Sequence, residues 1–463
     1  MHLSRRTFVG LGSSVLGSVV MQRSFGGIRA AAQEKHFLIE IVYRGGWDCS
    51  YLFDARPLSM TGAGIAHNYL GEDPTELLDH RGGRALVTSL FEPLRPHFAA
   101  GRFSILNGVH MAPNFDGHEQ NLSYLLTGNP FGGDAIFPGI NCGPNAAPLD
   151  YLQLGRLSGV KITNSAKSLP LDARGATSLI KAIKGMTPLD LQSPIPAFVM
   201  ERLALAGTGS GAFSSGARRM ASGLAQSSDL AERIRTMRLD AVPASGDIPL
   251  PHTLKYVRQC FGSGIVNSAL IELARVGIDS HDVSTAKQQP ALYKLVAAEI
   301  ASIFDFLASN PVSDADSMPL INCTTVIVTS EFGRSLRQAG ANIDQTGTDH
   351  NQFANAVLIG GRGVRGGLII GAGDQESLTS QVSPAHHSLD KDLVKSIGKP
   401  FDFDSMQSSP AMPEVYDPRH YLTYASVANS VYSLFGADPK NYWSFERGGP
   451  PARLLGPELL ANL

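Results

Sequence analysis

The chain has 463 residues, 43% of them hydrophobic, and its 39 Lys and Arg against 41 Asp and Glu leave a formal net charge of -2. Such a length buries a large core and fits one big domain or two ordinary ones. The near-neutral balance, with no basic stripe interleaved with aromatics, argues against a nucleic-acid or anionic-lipid binder.

The opening stretch "LSRRTFVGLGSSVLGSVVMQRSFGGIRAAAQ" places Arg5 and Arg6 before a Gly-, Ser- and Val-rich apolar run, with small residues at Ala30, Ala31 and Ala32. That layout is expected of a twin-arginine export signal over residues 1–32 with an Ala-x-Ala cleavage site, which predicts a periplasmic or extracellular mature protein. A basic first helix that stays on the protein is the alternative. No other segment carries about 18 uninterrupted apolar residues, so no membrane span is expected in the mature chain. The cysteines, Cys49, Cys142, Cys260 and Cys323, stand far apart without CxxC pairing, which argues against a zinc–thiolate site.

The first element expected after residue 36 is a strand in "HFLIEIVYRGGWD", β-branched and apolar until Gly45-Gly46. "TSLFEPLRPHFAAG" reads as helix and "RFSILNGVH" as strand. "HEQNLSYLLTG" reads as a helix closed by Gly128. Residues 170–250 change character: amphipathic helical runs flank the Gly/Ser-rich "AGTGSGAFSSGA", and the region reads as a helical insertion within a single domain spanning 36–463. Strand–helix alternation then returns. A strand leads into "VGIDSH", a helix covers "PALYKLVAAEIASIFDFLAS", and "CTTVIVTSEFG", "NAVLIGG" and "GGLIIGA" read as strands. "HYLTYASVANSVYSLFGADP" is the final helix. The pattern predicts an α/β fold whose largely parallel central sheet has helices on both faces.

In such sheets ligands sit beyond the carboxyl ends of the strands. Asp48, Asp279 and Glu331 each fall where a predicted strand ends. Taken singly, each has an ordinary reading. Asp48 could be a turn aspartate, Asp279 and His281 a helix cap and a surface histidine, and Glu331 a partner of Arg334. Asp349 and His350 in "GTDHN" could be a polar loop, and His118 in "FDGHEQ" a helix start. Taken together they resemble a hydrolytic metal site, which needs two or three imidazoles and carboxylates with an open position. Imidazole in the set favours zinc or a similar transition metal, as one or two divalent ions. His386, His387 and Asp390 lie in a polar loop that could roof such a site.

The order of these motifs resembles the exported bacterial family catalogued as "domain of unknown function" number fifteen hundred and one, within the alkaline phosphatase-like and sulfatase-like superfamily. "VYRGGWD", "FDGHEQNLSYLLTG", "VGIDSH", "VTSEFGRS", "GTDHNQFANAVLIGG" and "VRGGLIIGA" carry the resemblance. It implies one ion on Asp279, His281 and His350 and a second on Asp48, Glu331 and a nucleophile. The chain departs from the superfamily where Ser-Asp-His-Gly is replaced by Ser-Glu-Phe-Gly at Ser330–Gly333, since Phe332 cannot ligate. At the position where sulfatase-type members carry Cys or Ser, counting back along the helix puts His118. It is a candidate ligand, acid/base or nucleophile, with Asp116 as a second catalytic candidate. Arg44 and Arg334, with Asp349, are candidates for binding an anionic substrate. The expected function is an exported metal-dependent hydrolase of a phosphate, sulfate or related ester. The alternative is a non-catalytic binding or assembly factor whose helical insertion docks a protein partner.

Overall fold

The central strand shows how this sequence chooses its faces. In β1 (Phe37–Arg44) Phe37, Ile39, Ile41 and Tyr43 join one buried apolar cluster, while Leu38 and Val42 join another. A strand covered on both sides needs apolar residues at consecutive positions, which "FLIEIVY" supplies. The computed structural model of the chain describes residues 35–59, 70–112, 117–133, 140–141, 147, 149–155, 250–314, 316–336, 347–373, 397–409, 418–437, 453–457 and 459–460.

Six further strands extend this one: β2 (Phe103–Val109), β3 (Leu152–Leu154), β4 (Ser268–Ala274), β5 (Thr324–Thr329), β6 (Asn355–Gly361) and β7 (Ile369–Ile370). They form a seven-stranded sheet in the order β7-β2-β6-β5-β1-β4-β3. β1 runs parallel to β4 and β5, β3 to β4, and β7 to β2. β6 runs antiparallel to both its neighbours, β2 and β5. The fold is therefore α/β with a mainly parallel sheet, as the alternation of elements predicts.

Helices α2 (Leu250–Gly262) and α3 (Val283–Ser309) supply Leu254, Val257, Phe261, Tyr293, Val296 and Ile300 to the cluster around Ile39 and Ile41. Helices α1 (His118–Thr127) and α4 (Tyr424–Leu434) supply Leu122, Leu125, Val427 and Val431 to the cluster around Leu38 and Val42. Helix α1 stops at Gly128, whose φ of 71° is the left-handed conformation that closes a helix without a Cβ clash. Helix α3 starts at Asp282, whose Oδ1 accepts the Thr285 N–H at 2.9 Å. The cap is thus Asp282 and not Asp279, which leaves Asp279 and His281 available for other work.

Three local features depart from the sequence reading. "TSLFEPLRPHFAAG" makes a 3-10 turn at Ser89–Phe91 and a short helix at Arg95–Ala99 instead of one helix. Pro93 and Pro96 remove the amide donors a continuous helix needs there. A hairpin of Thr75–Leu78 with Arg84–Val87 and helix α2 were both unanticipated. The export signal, Asp116, Cys142, His386, His387 and Asp390 lie outside the described residues, as does the 170–250 insertion except for Leu250, where α2 begins. Among the described residues, no helix is long and apolar enough to cross a membrane.

One core position is polar. Glu40, fully buried in the middle of β1, accepts the Tyr424 hydroxyl at 2.6 Å. Burial pushes its carboxyl up from 4.5 to about 7, against the opposing pull of that hydrogen bond. Between those values the folded chain holds a proton that the unfolded chain has released, so stability falls as pH rises through the window and levels off above it. Urea unfolding of wild type and Glu40→Gln at pH 5 and pH 8 should show the wild type losing on the order of 1–3 kcal/mol more than the variant across that interval. Equal losses would mean that Glu40 does not titrate in the fold.

Candidate metal centre

Three parallel strands end side by side. Arg44 of β1 is in register with Ala274 of β4, and Val42 with Thr329 of β5. The loops that follow carry Asp48, Asp279 and Glu331, so all three leave the sheet at one edge. The loops approach closely because the chain after β1 has no side chains to obstruct them. A Cβ on Gly45 would stand 2.9 Å from the Asp279 nitrogen, and one on Gly46 would stand 2.1 Å from the Phe332 ring. Both glycines have positive φ, 123° and 69°, which favours glycine on conformational grounds as well.

His118 reaches the same edge as the first residue of α1, which follows the carboxyl end of β2. His350 arrives by a different route. Because β6 is antiparallel, its amino end lies where its neighbours have their carboxyl ends, with Asn355 opposite Val109. The chain just ahead of β6 therefore crosses the site, and it is pinned by the antiparallel pairs Arg334–His350 and Gly333–Asn351. Thr348 donates its N–H to the Ser280 carbonyl at 2.8 Å, and the two hydroxyls meet at 2.6 Å. "DSH" and "TDH" are thus clasped to each other.

Among the described residues, one group of histidines and carboxylates has the spacing of a metal site: His118, Asp279, His281 and His350, whose nearest ligand atoms all lie within 4.8 Å of one another. The His281 and His350 Nε2 atoms are 2.9 Å apart. His281 Nε2 is 3.2 Å from Asp279 Oδ1, and His118 Nε2 is 3.4 Å from Asp279 Oδ2. Tetrahedral ligands at about 2.1 Å from an ion stand roughly 3.4 Å apart, so small adjustments would let the four share one. Two imidazole nitrogens facing each other also need a proton or a cation between their lone pairs. The group is open to solvent: the Asp279 side chain is 50% exposed and that of His281 41%.

The ring nitrogens facing away from this centre meet carboxylates. His118 Nδ1 is 2.7 Å from Glu331 Oε1, and His281 Nδ1 is 3.6 Å from Asp349 Oδ1. Glu331 is fully buried and also accepts the Gly45 N–H at 2.9 Å. Burial resists its charge, but His118 and that amide bring its carboxyl below the ordinary value. A charged carboxylate can only accept, so Nδ1 of His118 carries the hydrogen and Nε2 is left to face the centre. Burial works against a charge on His118, yet Asp279 and Glu331 raise it to about 9. Burial and the nearby Arg334 guanidinium lower His281. Burial opposes ionisation of Asp279 too, but the His118 ring beside it and the hydrogen-bonded Arg334 guanidinium hold it far below the usual carboxylate range.

The remaining expected residues take other places. Asp48 and Glu331 lie outside the group of four. Asp48 Oδ1 accepts from the Ser50 N–H at 2.9 Å and sits 2.6 Å from the Ser50 hydroxyl, capping a 3-10 turn, and its own amide bonds the Tyr293 hydroxyl. Burial pushes the Asp48 carboxyl up to about 6 against the Ser50 bonds and the Arg334 charge. Arg44 lies 3.2 Å from Glu272, whose side chain is buried. The Arg334 side chain is fully buried and bonds Asp279 and the Gly45 and Gly46 carbonyls. Phe332, expected only as a lost ligand, forms a wall: its ring centroid is 4.8 Å from that of His118 and 4.5 Å from that of His350. Neither that wall nor the His118–Glu331 pair has a sequence signal, because the pair is separated by 213 positions.

Residues 270–412 match the family described as "Protein of unknown function (DUF1501)". The matched span contains "VGIDSH", "VTSEFGRS" and "GTDHNQF", so the resemblance read from those motifs is borne out there, while "VYRGGWD" and "FDGHEQ" precede it. No curated protein matches the sequence. Three similar solved structures belong to hydrolase-type proteins or their superfamily. The phosphonate monoester hydrolase SpPMH from Silicibacter pomeroyi is 10% identical, with a TM-score of 0.34 covering 93% of this chain and 77% of its own. The PsFucS1 sulfatase from Pseudoalteromonas sp. is 9% identical, with a TM-score of 0.31 covering 79% and 68%. A protein in the alkaline phosphatase superfamily from Vibrio parahaemolyticus is 11% identical, with a TM-score of 0.29 covering 94% and 97%.

Carboxylates behind metal-bound histidines typically contribute 10- to 100-fold to metal affinity. Glu331→Gln should weaken zinc binding by about that factor while the far-ultraviolet circular dichroism stays unchanged. Unaltered affinity in the folded variant would show that Glu331 does not hold His118 for an ion.

Proposed function

We propose that this chain is a metal-dependent hydrolase acting on a phosphate, sulfate or related ester, with one divalent cation held by His118, Asp279, His281 and His350. The observation that carries the reading is the shared posture of two histidines. His118 and His281 turn Nε2 toward the centre while a carboxylate stands behind Nδ1, Glu331 for one and Asp349 for the other. The His118–Glu331 hydrogen bond is how proteins fix the tautomer and direction of an imidazole ligand, and Asp349, 3.6 Å from His281 Nδ1, adds negative charge behind the second ring. Three nitrogens and one carboxylate suit zinc better than calcium or magnesium. When bound, such an ion would polarise a phosphoryl or sulfuryl oxygen and lower the pKa of a bound water.

The chain's own residues would do the rest. With Nε2 turned into the group of four, His118 serves better as ligand than as nucleophile. Asp279 holds its charge at ordinary pH because Arg334 and His118 contact it. Arg44, at the rim of the sheet and only partly exposed, would meet an anionic substrate in competition with Glu272. Phe332 screens one side of the histidines from water. The expected twin-arginine signal would send the protein out of the cytoplasm, and in the non-catalytic alternative the 170–250 stretch would be the partner surface.

One observation favours the non-catalytic alternative. Phe332, not a hydroxyl or thiol, packs against His118 and His350. Elemental analysis of the full chain purified after export, with turnover of aryl phosphates and sulfates, separates the two readings. The hydrolase reading expects a stoichiometric transition metal and measurable turnover, both lost in His350→Ala. Metal without turnover toward any of these esters would favour the binding factor, and absence of metal would overturn the proposed centre.

A further inference from the structure

We infer that the Arg334 guanidinium is a built-in cation that limits this site to a single metal ion. The inference rests on the metal-site reading above and concerns what stands beside the four ligands. Arg334 is a positive charge on a completely buried side chain, held on several sides. Its Nε donates to the Gly46 carbonyl at 3.0 Å, and its Nη2 donates to the Gly45 carbonyl and to Asp279 Oδ1. Its Nη1 lies 3.3 Å from His281 Nε2. Carbonyls and a carboxylate converging on one point are a donor set for a cation, and here the guanidinium already fills it.

Among the described residues, an aromatic ring and glycine backbone pack against the guanidinium. The Phe332 ring lies on the other side of the guanidinium, 5.8 Å from ring centroid to Cζ, and rests on His118 and His350. A Cβ on Gly46 would already stand 3.3 Å from Arg334 Nε. Among the described residues, the carboxylates expected to hold a second ion are engaged elsewhere. Both Glu331 oxygens are engaged, Oε1 by Gly45 and His118 and Oε2 at 2.9 Å from the Ser330 hydroxyl. Asp48 keeps one buried oxygen, Oδ2, without a hydrogen-bond partner. That oxygen alone makes no divalent site while Arg334 occupies the Gly45 and Gly46 carbonyls, and the Arg334 charge already acts on Asp48. The guanidinium holds Asp279 Oδ1, which also lies 3.2 Å from His281 Nε2, while Oδ2 turns to His118. Arg334 is therefore a positioning residue and not a group that greets substrate.

The test is zinc stoichiometry of the full chain, by elemental analysis after equilibrium dialysis and by calorimetric titration. Wild type should saturate at one zinc per chain. Arg334→Ala should take up a second, weaker equivalent, and millimolar methylguanidinium should return it to one by refilling the space. A folded Arg334→Ala protein that still stops at one zinc would overturn the inference, as would a wild type that binds two. A wild type that binds none would instead overturn the underlying metal site. Asp48→Asn keeps the question open to test if Arg334→Ala does not fold. A single-ion site expects its zinc affinity to stay within about threefold of wild type, and a loss of tenfold or more would place Asp48 among the ligands and overturn the inference.

Discussion

The buried carboxylate of Glu331 is the constraint on which the site depends. It has no exposure, and a charge in that position survives only with donors around it. Those donors come from three elements: the Gly45 amide after β1, the Ser330 hydroxyl after β5 and the His118 ring at the start of α1. One group therefore ties two strand ends to a helix start. The same group decides which nitrogen of His118 faces Asp279.

Around that pivot the site is built from close backbone approaches rather than from long side chains reaching inward. Gly45 and Gly46 let the loop after β1 lie against Asp279 and Phe332. Gly347 lets the segment before His350 lie on the Ser280 carbonyl, where a Cβ would stand 1.9 Å away. The turned carbonyls of Gly45 and Gly46 then become the cradle for Arg334. Charge and backbone shape are coupled here: the glycines create the negative concavity, and the guanidinium fills it.

The centre also has an asymmetry with chemical consequences. One side is dry and rigid, formed by Phe332, Glu331 and Arg334, all buried. The other side is wet, formed by Asp279, His281 and Asp349, whose side chains are 36% to 50% exposed. If the proposed hydrolase reading holds, an anionic ester would approach from the wet side while the dry side holds the ligand geometry.

Much of this was legible in the residues. Runs of consecutive apolar positions identified β1, β5 and β6, because strands buried on both faces need them, and Gly128 marked a helix end. The family resemblance implied Asp279, His281 and His350 as one set, and counting back along the helix made His118 a candidate beside it. Ligand convergence could not be read from the chain. It depends on β6 running antiparallel inside a mostly parallel sheet, which carries His350 to the carboxyl edge, and strand direction leaves no trace in local periodicity. The His118–Glu331 pair and the burial of Arg334 were equally hidden, since both join residues hundreds of positions apart. Composition and pattern determined which segments form strands and helices and which side chains could ligate. Packing alone decided which of those side chains meet, because side-chain direction at a strand end is set by the neighbours that surround it.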